Sequence, residues 1–77
     1  MTRDRVQYDF SLLRGRIAQM FRSQSAFARE MGTPVPTLSR KLNNTSEFTG
    51  SEIDRAMQLL DIPGTDVRLY FFSPKNS

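Results

Sequence analysis

Residues 24–43 read QSAFAREMGTPVPTLSRKLN and carry the pattern of two short helices joined by a tight turn. Ser23 is a favourable N-cap for the first helix, because its hydroxyl can accept a hydrogen bond from a free backbone amide. Gly32 is suited to end that helix, since glycine adopts a left-handed backbone without steric cost. Three apolar residues recur between them at helical spacing, Phe27, Ala28 and Met31. The small side chain of Ala28 leaves room for a second helix to cross closely.

The second helix is predicted to begin at Thr33, which can cap it, with Pro34 in the first position, where no amide hydrogen is needed. Leu38 and Leu42 lie four residues apart and give this helix a buried face. The opposite side carries short polar, apolar and cationic residues, Val35, Pro36, Ser39, Arg40 and Asn43. This pattern is typical of a DNA-binding helix-turn-helix, and an ordinary hairpin of a small helical bundle is the alternative.

The composition favours one small domain and disfavours an enzyme. The chain has 77 residues, no cysteine and no histidine, so thiolate chemistry and the commonest general base and metal ligand are absent. The carboxylates are scattered among helix caps and exposed positions, without a glycine-rich phosphate loop. No apolar run is long enough to span a membrane, and the N-terminus lacks the apolar stretch of a signal peptide. We therefore expect a cytoplasmic, non-enzymatic protein with no cofactor, no metal, no membrane partner and no small-molecule ligand.

Charge is distributed unevenly along the chain, although the net charge is only +3. Residues 1–41 contain eight cations and three acids, a balance of +5, and residues 42–77 contain three cations and five acids, a balance of −2. The basic half includes the predicted second helix of the hairpin. A basic face beside that helix suits contact with nucleic-acid phosphates.

The rest of the chain predicts an all-α bundle of about five short helices. Residues 1–8 are predicted to be a flexible basic arm, residues 9–72 the helix-turn-helix domain, and residues 73–77 a disordered tail. Asp9 is the predicted N-cap of a first helix over residues 10–21, with Leu13, Ile17 and Met20 or Phe21 facing the core. Gly15 interrupts that helix, and close approach of another element would explain it. Thr49 and Glu52 form a capping box for a helix reaching about Leu60, and Thr65 can cap a last helix over residues 66–72, for which a strand is the weaker alternative.

The chain resembles the lambda-repressor-like, Cro-type helix-turn-helix family, and most closely small phage Cro-like transcriptional regulators of Gram-positive bacteria. The resemblance covers most of the chain. Its matching segments are YDFSLLRGRI (8–17), FAREMG (27–32), TLSRKLNN (37–44), EFTGSEI (47–53) and LLDIPGTDVRLYFF (59–72). One departure is Thr33, where the family usually has an apolar residue, and the Thr-Pro-Val-Pro start of the second helix is also unusual.

The resemblance implies that the helix at residues 33–43 lies in the major groove of double-stranded DNA. Arg40 is the strongest candidate for reading a base, since an arginine can donate two hydrogen bonds to guanine. The residues expected to face bases are Val35, Pro36, Thr37, Ser39 and Arg40. The residues expected to contact phosphates are Gln24, Thr33, Lys41, Asn43 and Asn44.

The family solution is a two-fold homodimer on a pseudo-palindromic operator, with half-sites about 34 Å apart. Three aromatic residues in a row, Tyr70, Phe71 and Phe72, cannot all face the core of so small a bundle. We therefore expect Phe72 and Leu69 to lie at the interface between subunits. The resemblance implies a repressor; the alternatives are an antitoxin-type regulator and a protein-interaction module that has kept the fold without reading DNA.

Overall fold

The structure, a computed structural model, describes residues 7–75, and these form an all-α fold as predicted. Its helices are α1 (Ser11–Phe21), α2 (Gln24–Met31), α3 (Val35–Leu42), α4 (Gly50–Leu59) and α5 (Val67–Phe71), with a 3-10 turn at Gly64–Asp66 before α5. Residues 66–72, for which a strand was the alternative, are helical over most of their length. No helix within the described range is both long and apolar enough to cross a membrane.

All five helices contribute buried apolar side chains to one core. The predicted inward residues Leu13, Ile17, Phe27, Leu38 and Leu42 are all buried. The remaining buried apolar residues are Phe10, Ala28, Ala56, Leu60, Ile62 and Phe71. The loop residue Phe48 packs against this core with its ring edge-on to those of Phe10 and Phe71, 5.6 and 5.4 Å away between centroids. Phe48 therefore fills part of the core from the loop between α3 and α4.

Local capping signals in the sequence fix the ends of α2 and α4. The Ser23 hydroxyl accepts a hydrogen bond from the Ala26 amide, and Gly32 ends α2 in the left-handed conformation with φ 72°. Thr49 and Glu52 form the predicted capping box at the start of α4. These three predictions are confirmed, and each rests on hydrogen bonds that span only a few residues.

Helix α3 begins at Val35 rather than at Pro34, one residue later than predicted. Thr33 does not cap this helix; its amide donates to the Ala28 carbonyl and helps to close α2. Pro34 has φ −59° and ψ 144°, an extended conformation, and its carbonyl accepts the first helical hydrogen bond, from Leu38. The extended Pro34 therefore precedes α3, which begins at Val35 with Pro36 still in its first turn.

The structure also corrects the description of α1. The helix begins at Ser11 rather than residue 10, although the Asp9 carboxylate accepts the Ser11 amide 2.9 Å away. Met20 is exposed, and Phe21 takes the partly buried position beside the core. A Cβ on Gly15 would meet nothing within 4 Å, so close approach of another element does not explain this glycine.

The two ends of the described chain pair with each other. The Asp9 amide donates to the Ser73 carbonyl 2.8 Å away, and the Lys75 amide donates to the Gln7 carbonyl 3.2 Å away. An antiparallel bridge joins Tyr8 and Pro74. The predicted arm and tail, residues 1–8 and 73–77, therefore contain paired residues at positions 7, 8 and 73–75; the rest of both segments lies outside the described residues.

Candidate nucleic-acid interface

The hairpin of α2 and α3 is held by two side chains of α3 and one turn. Leu38 and Leu42 are buried, which fixes the inner side of α3 against the core. Gly32 turns the chain between the helices in its left-handed conformation. Together these contacts leave one side of α3 facing outward.

The outer face of α3, defined here as Val35, Pro36, Thr37, Ser39 and Arg40, combines exposed and half-buried positions. Val35, Pro36 and Arg40 are exposed, while Thr37 and Ser39 are half-buried. The Arg40 guanidinium donates a long hydrogen bond of 3.4 Å to the Thr37 hydroxyl one turn earlier. Arg40 therefore lies along the outer face with its charge in solvent, as a residue that reads a base must.

Three of the predicted phosphate contacts lie around this face. Gln24 is the first residue of α2, directly after the Ser23 cap, and is half-buried. Thr33 is half-buried in the turn before α3, and Asn43 is exposed at the end of α3. The Asn43 side chain accepts a hydrogen bond from Arg14 and makes a long contact of 3.5 Å to the Ser39 hydroxyl.

Lys41 is placed differently from the expectation that it contacts phosphate. Its side chain is buried, and its ammonium donates to both carboxylate oxygens of Glu52, at 2.7 and 3.0 Å, and to the Glu47 carbonyl. Burial raises the pKa of Glu52, but the hydrogen bonds from Lys41 and the Thr49 amide outweigh it and hold that pKa below its usual value. The Lys41 charge thus joins α3 to the capping box of α4, and a phosphate contact by Lys41 stays a prediction.

Asn44 likewise serves the protein rather than a solvent-facing contact. Its side-chain oxygen accepts the Tyr8 amide and its side-chain nitrogen donates to the Tyr8 carbonyl, both at 2.9 Å. Asn44 has φ 66°, in the left-handed region that asparagine tolerates better than most residues. These contacts bind the end of α3 to the N-terminal segment, and a phosphate contact by Asn44 stays a prediction.

Three arginines bind backbone carbonyls at the C-terminal ends of helices, where free carbonyls and the helix dipole favour a cation. Arg14 of α1 donates to the Leu42 carbonyl at the end of α3. Arg16 of α1 donates to the Leu60 and Asp61 carbonyls after α4. Arg55 of α4 donates to the Glu30 carbonyl near the end of α2. Much of the positive charge in this sequence therefore stabilises helix ends.

The exposed cations near the hairpin are fewer than the charge balance predicts. Arg22, Arg29 and Arg40 are exposed, and Arg3 and Arg5 lie outside the described residues. Arg22, for which the sequence pattern predicts no role, has φ 72° and directly precedes the cap of α2. Apolar spacing along a helix could not identify Arg22, because it follows the last residue of α1.

Side chains that could form a metal centre do not cluster in residues 7–75. No group of three or more histidine, cysteine, aspartate or glutamate side chains is suitably placed in that range. Glu52, the carboxylate closest to α3 in the hydrogen-bond network, is already bound to Lys41.

Comparison with known proteins places the chain in a family. It is similar to the modulator of repression of the temperate bacteriophage TP901-1 from Lactococcus lactis, whose solution structure matches with 36% sequence identity and a TM-score of 0.77. The match covers 91% of this chain and 95% of that one. A search of curated proteins gave no match. A family model described as "Protein of unknown function (DUF739)" matches residues 6–74, and the chain therefore belongs to that family.

Proposed function

We propose that this protein is a phage regulator that binds double-stranded DNA in a sequence-specific manner, with α3 in the major groove. The observation that carries the proposal is the arrangement of α3. Leu38 and Leu42 anchor its inner side in the core, and Arg40 lies exposed on the outer face. The similarity to a phage protein named for modulating repression supports a regulatory role.

In this proposal the outer face of α3 meets base edges. Arg40 supplies the main directional contact, because its guanidinium can donate twice to one guanine. Val35 and Pro36 offer apolar surface suited to thymine methyl groups. Gln24, Thr33 and Asn43 remain the proposed phosphate contacts, which position the protein without reading sequence.

In this proposal the protein acts as a dimeric, Cro-like repressor. Leu69 and Phe72 of the C-terminal region are 53% and 40% exposed, while the neighbouring Phe71 is buried. Large apolar side chains at this exposure are favourable contacts between two copies. A two-fold dimer would place two α3 helices about one helical turn of DNA apart.

A specific observation favours one alternative, a contact with another protein through the same face. The first turn of α3 presents Val35 and Pro36, which lack side-chain donors and acceptors, and Val35 is 41% exposed. Several cations of the basic half are also bound internally, which reduces the charge available for phosphates. In this alternative α3 docks on a partner protein, and the family resemblance to DNA readers concerns only the fold.

Selection from a random DNA pool at near-physiological salt, with wild type and Arg40→Ala in parallel, tests the proposal. We expect an enriched palindrome for wild type, and for Arg40→Ala a loss of about tenfold or more in discrimination at one position of each half-site. Arg68→Ala is the matched control, since it removes an exposed cation that lies on α5 rather than on the hairpin. A wild-type protein that enriches no DNA sequence contradicts the proposal and favours the protein-binding alternative.

A further inference from the structure

The end of α3 is tied to the N-terminal part of the chain at three successive residues. Arg14 donates from one guanidinium nitrogen to the Leu42 carbonyl at 3.1 Å and to the Asn43 side-chain oxygen at 2.8 Å. Asn44 makes its two hydrogen bonds to the Tyr8 backbone. These partners are 28 to 36 residues apart in sequence, so they are tertiary contacts rather than an ordinary helix cap.

We propose that Arg14 and Asn44 are positioning residues that set the orientation of α3 by holding its C-terminal end. This rests on the proposed function for its consequence at DNA, though the positioning itself does not require DNA. The turn at Gly32 fixes where α3 starts, and Leu38 and Leu42 fix which side is inward. These contacts still allow the C-terminal end of α3 to swing while its inner side stays buried. The hydrogen bonds of Arg14 and Asn44 at that end prevent this movement.

The contacts of Arg14 differ in kind from those expected of a DNA-binding arginine. Arg14 is half-buried, and one of its guanidinium nitrogens donates to both protein acceptors at the end of α3. If Arg14 acts only through these contacts, it neutralises no phosphate, and its removal leaves the salt dependence of DNA binding unchanged. Its effect on binding passes through the geometry of α3.

The chain contains a close internal control in Arg16. Arg16 lies two residues further along α1 and donates to the Leu60 and Asp61 carbonyls at 2.9 and 3.1 Å. Both arginines are half-buried, and both bind carbonyls at a helix C-terminus. Because one holds α3 and the other α4, equivalent substitutions remove the same charge and similar bonds from different helices.

Amide hydrogen exchange tests the positioning without DNA. In Arg14→Gln we expect amides of the last turn of α3 to exchange about tenfold faster, while α4 is unchanged, since a hydrogen bond from a charged group is lost. In Arg16→Gln we expect the reverse pattern. Asn44→Gly keeps a residue suited to φ 66° and removes the side-chain bonds to Tyr8, so it should also loosen the end of α3. Equal changes in both helices for both arginine variants would overturn the proposal.

DNA binding of the same folded variants supplies the second measurement. We expect Arg14→Gln to lose about tenfold in affinity for the selected site with an unchanged salt slope, and Arg16→Gln to lose little. Arg14→Lys, which can still reach the carbonyl, should recover part of the loss. A salt slope shallower by about one phosphate in Arg14→Gln would mean a direct DNA contact and would overturn the positioning role. If wild type selects no DNA, the proposed function fails, and hydrogen exchange alone decides whether Arg14 positions α3.

Discussion

At the scale of single residues, the cations of this protein divide into those that face solvent and those that bind the protein itself. Lys41 and Arg40 are adjacent in sequence and carry the same charge. Arg40 is exposed on the outer face of α3, and Lys41 is buried against Glu52. The difference follows from helical geometry, because neighbouring positions on a helix are about 100° apart and one of them here faces α4.

The pairing of Lys41 with Glu52 predicts a pH-dependent part of the stability. The pKa of Glu52 is lowered from 4.5 in the folded protein. The ionised Glu52 therefore stabilises the fold above pH 4.5, and this stabilisation is lost as pH falls through the folded pKa. Glu52→Gln keeps a residue that can complete the capping box and removes the ion pair. We expect it to cost about 1 kcal/mol in the free energy of unfolding at neutral pH.

Thermal unfolding of wild type and Glu52→Gln at several pH values measures this effect. The difference in unfolding temperature between the two proteins should become smaller as pH falls below 4.5, the usual pKa of a glutamate side chain. Glu47→Gln is the matched control, because Glu47 is exposed and Lys41 contacts only its backbone carbonyl. A gap between wild type and Glu52→Gln that stays constant with pH would show that the ion pair is not its source.

At the scale of helices and turns, residues in the left-handed conformation follow each of the first four helices. They are Arg22 after α1, Gly32 after α2, Asn44 after α3 and Asp61 after α4. Only the second of these is glycine, which makes the turn between α2 and α3 the least strained of the four. The turn of the hairpin therefore uses a glycine, whereas the other three turns place a residue with a side chain in the left-handed conformation.

Two glycine substitutions are predicted to have opposite effects. Gly32→Ala should destabilise the protein by about 1 kcal/mol, because alanine is strained at φ 72°. Gly15→Ala should stabilise it by about 0.5–1 kcal/mol, because Gly15 lies inside α1 with open space where a Cβ would stand. Unfolding temperatures measured side by side check both. Equal shifts of the same sign would contradict this account of the two positions.

Helices and caps were predictable where their causes are local. Ser23, Gly32 and the pair Thr49 and Glu52 act within a few residues, and the sequence pattern located each of them. The start of α3 was predicted one residue too early, because Pro34 and Pro36 both suit a first turn and because the Thr33 amide bonds back to α2. The roles of Lys41 and Asn44 were not predictable either, since their partners lie 11 and 36 residues away in sequence.

At the scale of the whole molecule, Phe72 connects the proposed dimer surface with the N-terminal segment. Its ring stands edge-on to that of Tyr8, 5.6 Å away between centroids, and 40% of the residue stays exposed. The sequence indicated that one of three consecutive aromatics must face outward. The structure identifies Phe71 as the buried one, and the partner of the outward side remains a proposal.

Phe72→Glu is predicted to dissociate the proposed dimer, because a carboxylate placed in an apolar contact would have to lose its water. Sedimentation equilibrium should give the dimer mass for wild type and the monomer mass for the variant. Met20→Glu is the matched control. Met20 is 44% exposed near the C-terminal end of α1, whereas Phe72 contacts Tyr8, which precedes the N-terminal end of that helix. An unchanged mass in Phe72→Glu, or a wild type that is already monomeric, contradicts the assignment of this surface.

The pairing of residues 7–9 with 73–75 makes the protein a candidate for circular permutation. Gln7 and Lys75 are joined by a backbone hydrogen bond, so a linker of about four residues could connect them without strain. New ends could be opened at the exposed residues Pro63 and Gly64. Such a rearranged chain would retain every helix while changing which of them are neighbours in sequence, so the order in which helices emerge during synthesis could be separated from the structure they reach.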